Sequence, residues 1–178
     1  MAGRVTRRGY AYAARVKPED LVEYEQIKRL KYRYVRCLDL KLFDEIRSLF
    51  VDTATASYGG GAYTYDGLDA IVEFLSTSMG STKMLTSHKV HHPEIDLTGP
   101  GTATGRWALD DVVVLVDLGM TVRGAAYYED DYVKVDGDWR IKHTGYKRVY
   151  EELAPRPSDV TLTASYWDTD GRSSLPAG

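Results

Sequence analysis

Apolar residues recur at helical spacing in the first half of the chain. Four of them form a single stripe: Ile27, Leu30, Tyr34 and Leu38. Because side chains three and four positions apart share one face of a helix, this spacing predicts a long amphipathic helix that begins near Pro18. Similar spacing predicts a short second helix within 42–50 and a third helix within 68–79.

The second half of the chain alternates apolar and polar residues, which is typical of half-buried strands. Four strands are predicted, over residues 84–92, 102–116, 122–135 and 139–150. Turn residues separate them, beginning with Pro93, and the glycines at 59–61 predict a hairpin within 53–65. Helices followed by antiparallel strands indicate an α+β fold. We expect a curved antiparallel or mixed sheet that wraps around the long first helix as a cone with a deep pocket.

The two ends of the chain differ from its middle. Residues 1–17 carry five basic and no acidic side chains, which indicates a flexible arm, with nucleic-acid contact as a minor alternative. Residues 18–152 form the predicted cone-shaped domain. Within the extension 153–178, the alternating segment 160–167 predicts an extra strand that subunits could exchange.

Composition narrows the class of protein. A chain of 178 residues has the length of one domain, and its formal net charge of -3 gives no overall attraction to nucleic acid or to an anionic membrane. The sequence has no apolar run of about 20 residues and no signal-peptide pattern, so a cytoplasmic protein without a membrane partner is expected. Cys37 is the only cysteine, and we interpret it as a small buried hydrophobe. The 14 tyrosines, against three phenylalanines and three tryptophans, indicate a cavity lined with hydroxyl groups.

Strand phase selects the polar side chains that face this cavity. His88 shares its face with the apolar Met84, so it is predicted to point inward. Asp111 is in phase with Trp107 and is also predicted inward, whereas the neighbouring Asp110 is predicted outward.

Two residues of the first helix complete a candidate site. Tyr34 lies at the centre of the apolar stripe, and Asp39 lies near the helix end, where a carboxylate opposes the helix dipole and needs a partner. A histidine can act as a base, an aspartate can orient it, and a tyrosine can donate to a developing oxyanion. Taken singly, each has a structural explanation: His88 as a core histidine, Asp39 as a turn residue and Tyr34 as a core aromatic.

Other patterns that carry chemistry are weaker. His91, His92 and His143 lack a recognised metal-ligand spacing, so no metal is predicted. The sequence has no glycine-rich loop that opens a helix and no GxSxG pattern. Chemistry without a cofactor is therefore the enzymatic hypothesis.

Four segments carry a resemblance to a known family: YVRCLDLKLFDEI, TSHKVHHPEI, ATGRWALDD and HTGYKRVYEE. Together they resemble the bile acid 7α-dehydratase family, within the nuclear transport factor-like superfamily. Scytalone dehydratase, hexachlorocyclohexane dehydrochlorinase and ketosteroid isomerase share that superfamily. The similarity covers roughly residues 19–152 and implies a cystatin-like α+β cone.

The resemblance also implies roles for individual residues. Tyr34 and His88 would be the principal catalytic pair, and Asp39 would orient His88. Three further side chains would bind the substrate: Tyr58, Asp111 and Arg148.

Two details of this correspondence concern the pocket wall. Arg148 faces the pocket only if its strand contains a bulge, which we expect near Gly145. Met120 falls roughly where the bile acid enzymes place a further active-site tyrosine, which predicts a changed wall at that position.

The expected function is a cofactor-independent dehydratase, a carbon–oxygen lyase, acting on a steroid- or bile-acid-like hydroxy-enone. His88 would remove a proton activated by the conjugated carbonyl before water leaves. The expected partner is a small hydrophobic polycyclic or alicyclic substrate, with a coenzyme A thioester as one option. The alternatives are a double-bond isomerase and a non-catalytic ligand-binding protein, and the resemblance implies a homotrimer.

Overall fold

The computed structural model describes residues 16–175, so the predicted basic arm, residues 1–17, lies almost wholly outside the described residues. The helices in this range are α1 (Asp20–Asp39), α2 (Phe43–Arg47), α3 (Leu68–Met79) and α4 (Tyr166–Thr169). The strands are β1 (Phe50–Tyr58), β2 (Tyr63–Asp66), β3 (Met84–Gly99), β4 (Thr102–Leu115), β5 (Met120–Val135) and β6 (Asp138–Pro155). The three predicted helices and the predicted hairpin are all present.

The six strands form one open mixed sheet in the order β2-β1-β6-β5-β4-β3. Neighbouring strands are antiparallel except β1 and β6, which are parallel. Helix α1 packs against β3 and β6, and α3 packs against β1. The predicted α+β class with a mixed sheet beside a long first helix is confirmed, although the sheet does not close into a barrel.

Helix α1 buries the apolar stripe that its sequence predicts. Ile27, Tyr34 and Leu38 are all buried against the sheet. Asp20 in the first turn suits the positive end of the helix dipole. The helix ends at Asp39, where the chain turns away from the helix axis through Lys41 with a positive φ of 56°. The turn leaves the Asp39 side chain at the edge of the sheet.

Strand β3 is longer than its sequence predicts. The turn expected at Pro93 does not form, because the strand continues through a bulge between His91 and Glu94. His92 adopts a positive φ of 45° in this bulge. Proline cannot donate to a strand ladder, but β3 is an edge strand of the sheet, where a missing donor is tolerated.

The segment 160–167 does not form a strand in this single chain, and its exchange between subunits stays a prediction. Residues 160–165 are irregular, and Tyr166–Thr169 form the short helix α4. Ser165 caps this helix, since its side chain accepts a hydrogen bond from the backbone N–H of Asp168 at 3.4 Å. Serine and threonine side chains bond to nearby backbone and so compete with strand pairing.

Two predictions about composition can be compared with the described residues. Cys37 is buried, and burial raises the pKa of its thiol to about 11, as expected of a structural cysteine. Among the described helices, none combines the length and the apolar character that a membrane crossing requires.

Candidate active site

A cavity of about 310 Å³ lies between α1, α3 and the inner face of the sheet. Five of the six predicted site residues line it: Tyr34, Tyr58, His88, Asp111 and Arg148. Asp39, the sixth, contacts His88 directly. The tertiary structure therefore brings together residues from one helix and four strands.

The aspartate and the histidine form a closely bonded pair. Asp39 Oδ1 lies 2.6 Å from His88 Nδ1, and Asp39 Oδ2 accepts a hydrogen bond from the backbone N–H of His88 at 2.9 Å. The hydroxyl of Thr86 donates to Asp39 Oδ1 at 2.9 Å. Because a carboxylate accepts here, the Nδ1 atom carries the proton of a neutral ring. The imidazole lines the cavity, so Nε2 is the basic nitrogen available to a substrate.

Two tyrosine hydroxyls meet on another side of the cavity. The Tyr34 and Tyr58 oxygens lie 3.1 Å apart, so one hydroxyl donates to the other. Burial raises the pKa of both phenols, and for Tyr34 the nearby Tyr58 and Tyr128 add to this effect. The phenols therefore stay protonated near neutral pH and act as hydrogen-bond donors, not as bases.

Asp111 and Arg148 bind each other. Arg148 Nη1 donates to Asp111 Oδ1 at 2.5 Å, and Nη2 donates to Oδ2 at 2.9 Å. Burial lowers the pKa of the guanidinium, but the hydrogen bonds and charge of Asp111 outweigh burial and the pKa is raised. Glu151 lies 2.9 Å from Arg148 Nε. The guanidinium is thus held at the cavity wall with its charge already balanced.

Aromatic rings form part of the remaining cavity wall, which also contains aliphatic side chains. Phe74 of α3 stacks on Tyr58 and Tyr63, with ring centroids 5.6 Å and 5.7 Å apart. Tyr128 and Tyr146 also line the cavity, and their rings meet edge to face at 5.6 Å. Flat apolar faces of this kind suit a ring-shaped substrate.

A family model described as a SnoaL-like domain matches residues 19–145. The chain belongs to this family. The matched range holds every predicted site residue except Arg148, which lies three positions beyond it.

Solved structures resemble this SnoaL-like protein over most of its length. A candidate scytalone dehydratase from Novosphingobium aromaticivorans DSM 12444 is 25% identical, with a TM-score of 0.70 and coverage of 80% of this chain and 97% of that chain. A hexachlorocyclohexane dehydrochlorinase from Novosphingobium barchaimii LL02 is 17% identical, with a TM-score of 0.69 and coverage of 81% and 96%. A protein with a cystatin-like fold from Caulobacter vibrioides is 16% identical, with a TM-score of 0.61 and coverage of 71% and 89%. The last two show the fold alone.

The side chains of the SnoaL-like site have the chemistry of a base and of hydrogen-bond donors. His88 Nε2 can take a proton, and Tyr34 or Tyr58 can donate to an oxygen that gains negative charge. Among residues 16–175, no cluster of three or more histidine, cysteine or carboxylate side chains has the arrangement of a metal site.

Two predictions about the wall of the SnoaL-like site are wrong. The bulge that turns Arg148 inward lies at Lys142, where the register between β5 and β6 shifts, and not at Gly145. A second shift occurs at Val149. Met120 begins β5 and lies outside the cavity lining, although its partner Leu115 and the nearby Val122 belong to the lining.

Sequence reasoning missed several lining residues of the SnoaL-like cavity. Thr86 is two positions before His88, so strand alternation alone was a sufficient signal to find it. Tyr63 and Phe74 carry no such signal, since they reach the cavity only through the hairpin and α3. Lys31 lies behind the lining and not in it, but its sequence signal is unusual, because it is a lysine beside the apolar stripe of α1 and three residues before Tyr34.

Proposed function

We propose that this protein is a cofactor-independent dehydratase, a carbon–oxygen lyase that removes water from a hydroxylated ring ketone. The observation that carries the proposal is the Asp39–His88 pair, whose imidazole faces the same cavity as the Tyr34 and Tyr58 hydroxyls. The similarity to a candidate scytalone dehydratase supports a lyase-type enzyme. A base and an oxyanion site in one cavity are the parts that elimination beside a carbonyl requires.

The reaction proceeds through an enolate. His88 Nε2 takes a proton from the carbon next to the carbonyl, and the electron pair of the broken C–H bond moves towards the carbonyl oxygen. One of the Tyr34 and Tyr58 hydroxyls donates a hydrogen bond to that oxygen, while the other donates to the first hydroxyl. The enolate then re-forms the carbonyl as a C=C bond forms and the C–O bond to the hydroxyl breaks. The imidazolium returns its proton to the departing hydroxide, which leaves as water, and His88 becomes neutral again.

Asp39 holds His88 in the tautomer that this reaction requires. Its hydrogen bond to Nδ1 holds the proton on that nitrogen and stabilises the imidazolium that forms after proton transfer. The bonds from Thr86 and from the His88 backbone fix the carboxylate itself. Asp39 is thus a positioning residue, and His88 is the proposed base.

The proposed substrate is an uncharged polycyclic or alicyclic hydroxy-ketone. The largest members of this class that we propose are steroid- or bile-acid-like hydroxy-enones. A volume of about 310 Å³ lies at the small end of ligand pockets, which span about 300–1,000 Å³. The rings that stack on Phe74 favour a flat hydrocarbon skeleton. Asp111 balances the charge of Arg148, so the wall favours a neutral ligand over a carboxylate. If the substrate is a coenzyme A thioester, its nucleotide part stays outside a cavity of this size.

The proposal is tested with His88→Gln and with His91→Gln as the matched control. Both histidines lie on β3, but His91 pairs with Asp110 on the outer face of the sheet. We expect H88Q to reduce turnover of a cyclic hydroxy-enone by about 10²–10⁴-fold, whereas H91Q retains the parent rate. Near-parent turnover by folded H88Q contradicts the assigned base.

Mass spectrometry of the product separates the dehydratase from its nearest alternative. Elimination lowers the mass of the substrate by one water molecule, whereas a double-bond isomerase leaves the mass unchanged. Both reactions begin with the same proton abstraction, so only the product distinguishes them. Tight binding without any product indicates a ligand-binding protein and contradicts the proposed enzyme.

A further inference from the structure

A buried cation lies behind the tyrosines of the cavity. Lys31 belongs to α1, and its side chain is 0% exposed. Its Nζ atom lies 3.4 Å from the centroid of the Tyr128 ring and 5.0 Å from the centroid of the Tyr34 ring. Both rings line the cavity. The ammonium therefore contacts, from inside the protein, the same aromatic side chains that face a substrate.

Asp130 of β5 balances the charge of this lysine. Asp130 Oδ2 lies 2.7 Å from Lys31 Nζ and accepts a hydrogen bond from the Tyr132 hydroxyl at 2.6 Å. Asp130 Oδ1 accepts a hydrogen bond from the Thr144 hydroxyl at 2.7 Å. Two hydroxyl donors and one cation thus surround the carboxylate, and together they reduce the negative charge that it presents to its surroundings.

The ammonium is less completely bonded than the carboxylate. Among residues 16–175, no acceptor is aligned with the N–H groups of Lys31, although Asp130 is close enough for an ion pair. The faces of aromatic rings carry negative charge density and attract a cation within about 6 Å. Tyr128 and Tyr34 are both within this distance. The positive end of the buried pair is therefore directed at the tyrosines.

A buried ion pair of this kind contributes little net stability to a folded protein. Removing two charges from water costs several kcal/mol per ion, and well-packed apolar residues often stabilise a protein equally well. Burial lowers the pKa of Lys31, and the neighbouring Asp130 charge opposes that change. The Asp130 charge raises the pKa of the Tyr34 and Tyr128 phenols. The Lys31 ammonium, which lies against both rings, acts in the opposite direction, since a cation favours negative charge on or beside the phenol oxygens in a medium of low dielectric constant.

We propose that Lys31 is a positioning residue of the oxyanion site, and that its charge, which acts through the Tyr128 and Tyr34 rings, strengthens the Tyr34 hydroxyl as a hydrogen-bond donor to an anionic oxygen. This inference rests on the proposed function, because that function places the enolate oxygen at the tyrosine hydroxyls. The lysine itself does not touch the substrate. It acts through the two rings.

The first test measures charge on a bound oxygen without any turnover. para-Nitrophenol is the probe, because its phenolate absorbs visible light and its neutral form does not. The H88Q variant is the host protein, since a glutamine cannot take the proton of the probe. We expect bound nitrophenol to ionise at lower pH than free nitrophenol. Ionisation at the same or a higher pH overturns the proposal, and this result requires no variant of Lys31.

The second test assigns the effect to Lys31. Lys31→Met with Asp130→Asn removes both charges together, so that neither partner is left buried and unpaired. The matched control is Glu23→Gln with Lys134→Met, which removes an ion pair of 2.8 Å between the same two elements, α1 and β5. In the H88Q host we expect the first pair of changes to reduce the ratio of bound phenolate to bound phenol by about ten- to thirtyfold. The control should leave this ratio unchanged.

Turnover then links Lys31 to the reaction. In the protein with His88 intact, K31M/D130N should lower kcat by a similar factor with little change in KM, because the charge acts only after the enolate forms. An unchanged phenolate ratio overturns the role of Lys31, as does an equal loss in the Glu23 and Lys134 control. These results are independent of whether H88Q loses turnover, so the proposed base and the role of Lys31 can fail separately.

Discussion

Asp39 at the end of α1 binds His88 of β3 twice, once through the ring Nδ1 at 2.6 Å and once through the backbone N–H at 2.9 Å. The first bond holds the proton of the neutral ring on Nδ1. The second fixes the carboxylate against the strand that carries the ring. The Asp39 carboxylate interacts unfavourably with the dipole of its own helix, and the hydrogen bonds from β3 offset this cost.

Replacing Asp39 by Asn should impair catalysis more than folding. An amide N–H directed at Nδ1 favours the ring form with its proton on Nε2, which can no longer act as a base. We expect a loss of about 10²–10⁴-fold in kcat, measured as product formation, with a cooperative unfolding transition retained. Asp110→Asn, in the exposed pair with His91, is the matched control and should retain the parent kcat. A rate close to the parent rate in D39N contradicts the role of Asp39.

Gly124→Ala should disturb substrate binding through Arg148. A Cβ at Gly124 would lie 2.8 Å from Arg148 Nη1 and 2.9 Å from the Tyr150 carbonyl oxygen, so the guanidinium must move from the strand. We expect a higher KM and a loss of about 1–3 kcal/mol in unfolding free energy, measured by urea titration. Gly99→Ala is the control, because its Cβ would meet only a flexible Thr102 hydroxyl at 3.1 Å. If G124A keeps the KM and the unfolding free energy of the parent protein, the close approach of Arg148 to Gly124 is unimportant.

The stability of the protein should fall steeply in alkaline solution. Burial raises the pKa of four tyrosines: Tyr34, Tyr58, Tyr128 and Tyr132. Above pH 10, the unfolded chain releases these protons and the folded chain retains them, so unfolding becomes more favourable as the pH rises. Each such tyrosine contributes a slope of about 1.4 kcal/mol per pH unit.

Urea unfolding between about pH 9 and about pH 11 measures this slope. Tyr58→Phe should reduce the loss of unfolding free energy across this range by about 1.4 kcal/mol in total, because the unfolded phenol ionises partway through the range. Tyr127→Phe is the matched control, since the Tyr127 side chain is exposed on the outer face of the sheet. A slope that is equal in the parent protein and in Y58F would contradict the burial of that hydroxyl.

Truncation after Arg156 should leave the oligomeric state unchanged. In this structure the C-terminal segment packs on its own chain, where Asp168 pairs with Lys83 at 3.0 Å and the Trp167 ring lies over Lys41. The Asp168–Lys83 pair is partly exposed, so solvent screens its charges and it contributes little to stability. Light scattering of both proteins is the measurement. A smaller assembly after truncation would support the predicted exchange of this segment between subunits, and the homotrimer itself stays a prediction.

Local periodicity was sufficient to place individual side chains. Alternation along β3 and β4 put His88 and Asp111 on the inner face, because successive residues of a strand point to opposite faces whatever the rest of the fold does. Helical spacing placed Tyr34 in the buried stripe for the same reason. The strand through Pro93 was missed, since tolerance of proline depends on whether the strand lies at the sheet edge.

Periodicity and element order thus predict the face on which each residue lies and the α+β class of the fold. The contacts between those faces depend on tertiary packing. Asp39 and His88 are 49 positions apart, and their contact depends on how α1 crosses β3. The inward turn of Arg148 depends on a bulge at Lys142, and the burial of Lys31 depends on a carboxylate supplied by β5. Contacts between distant residues follow from the packing of whole elements, which local spacing does not encode.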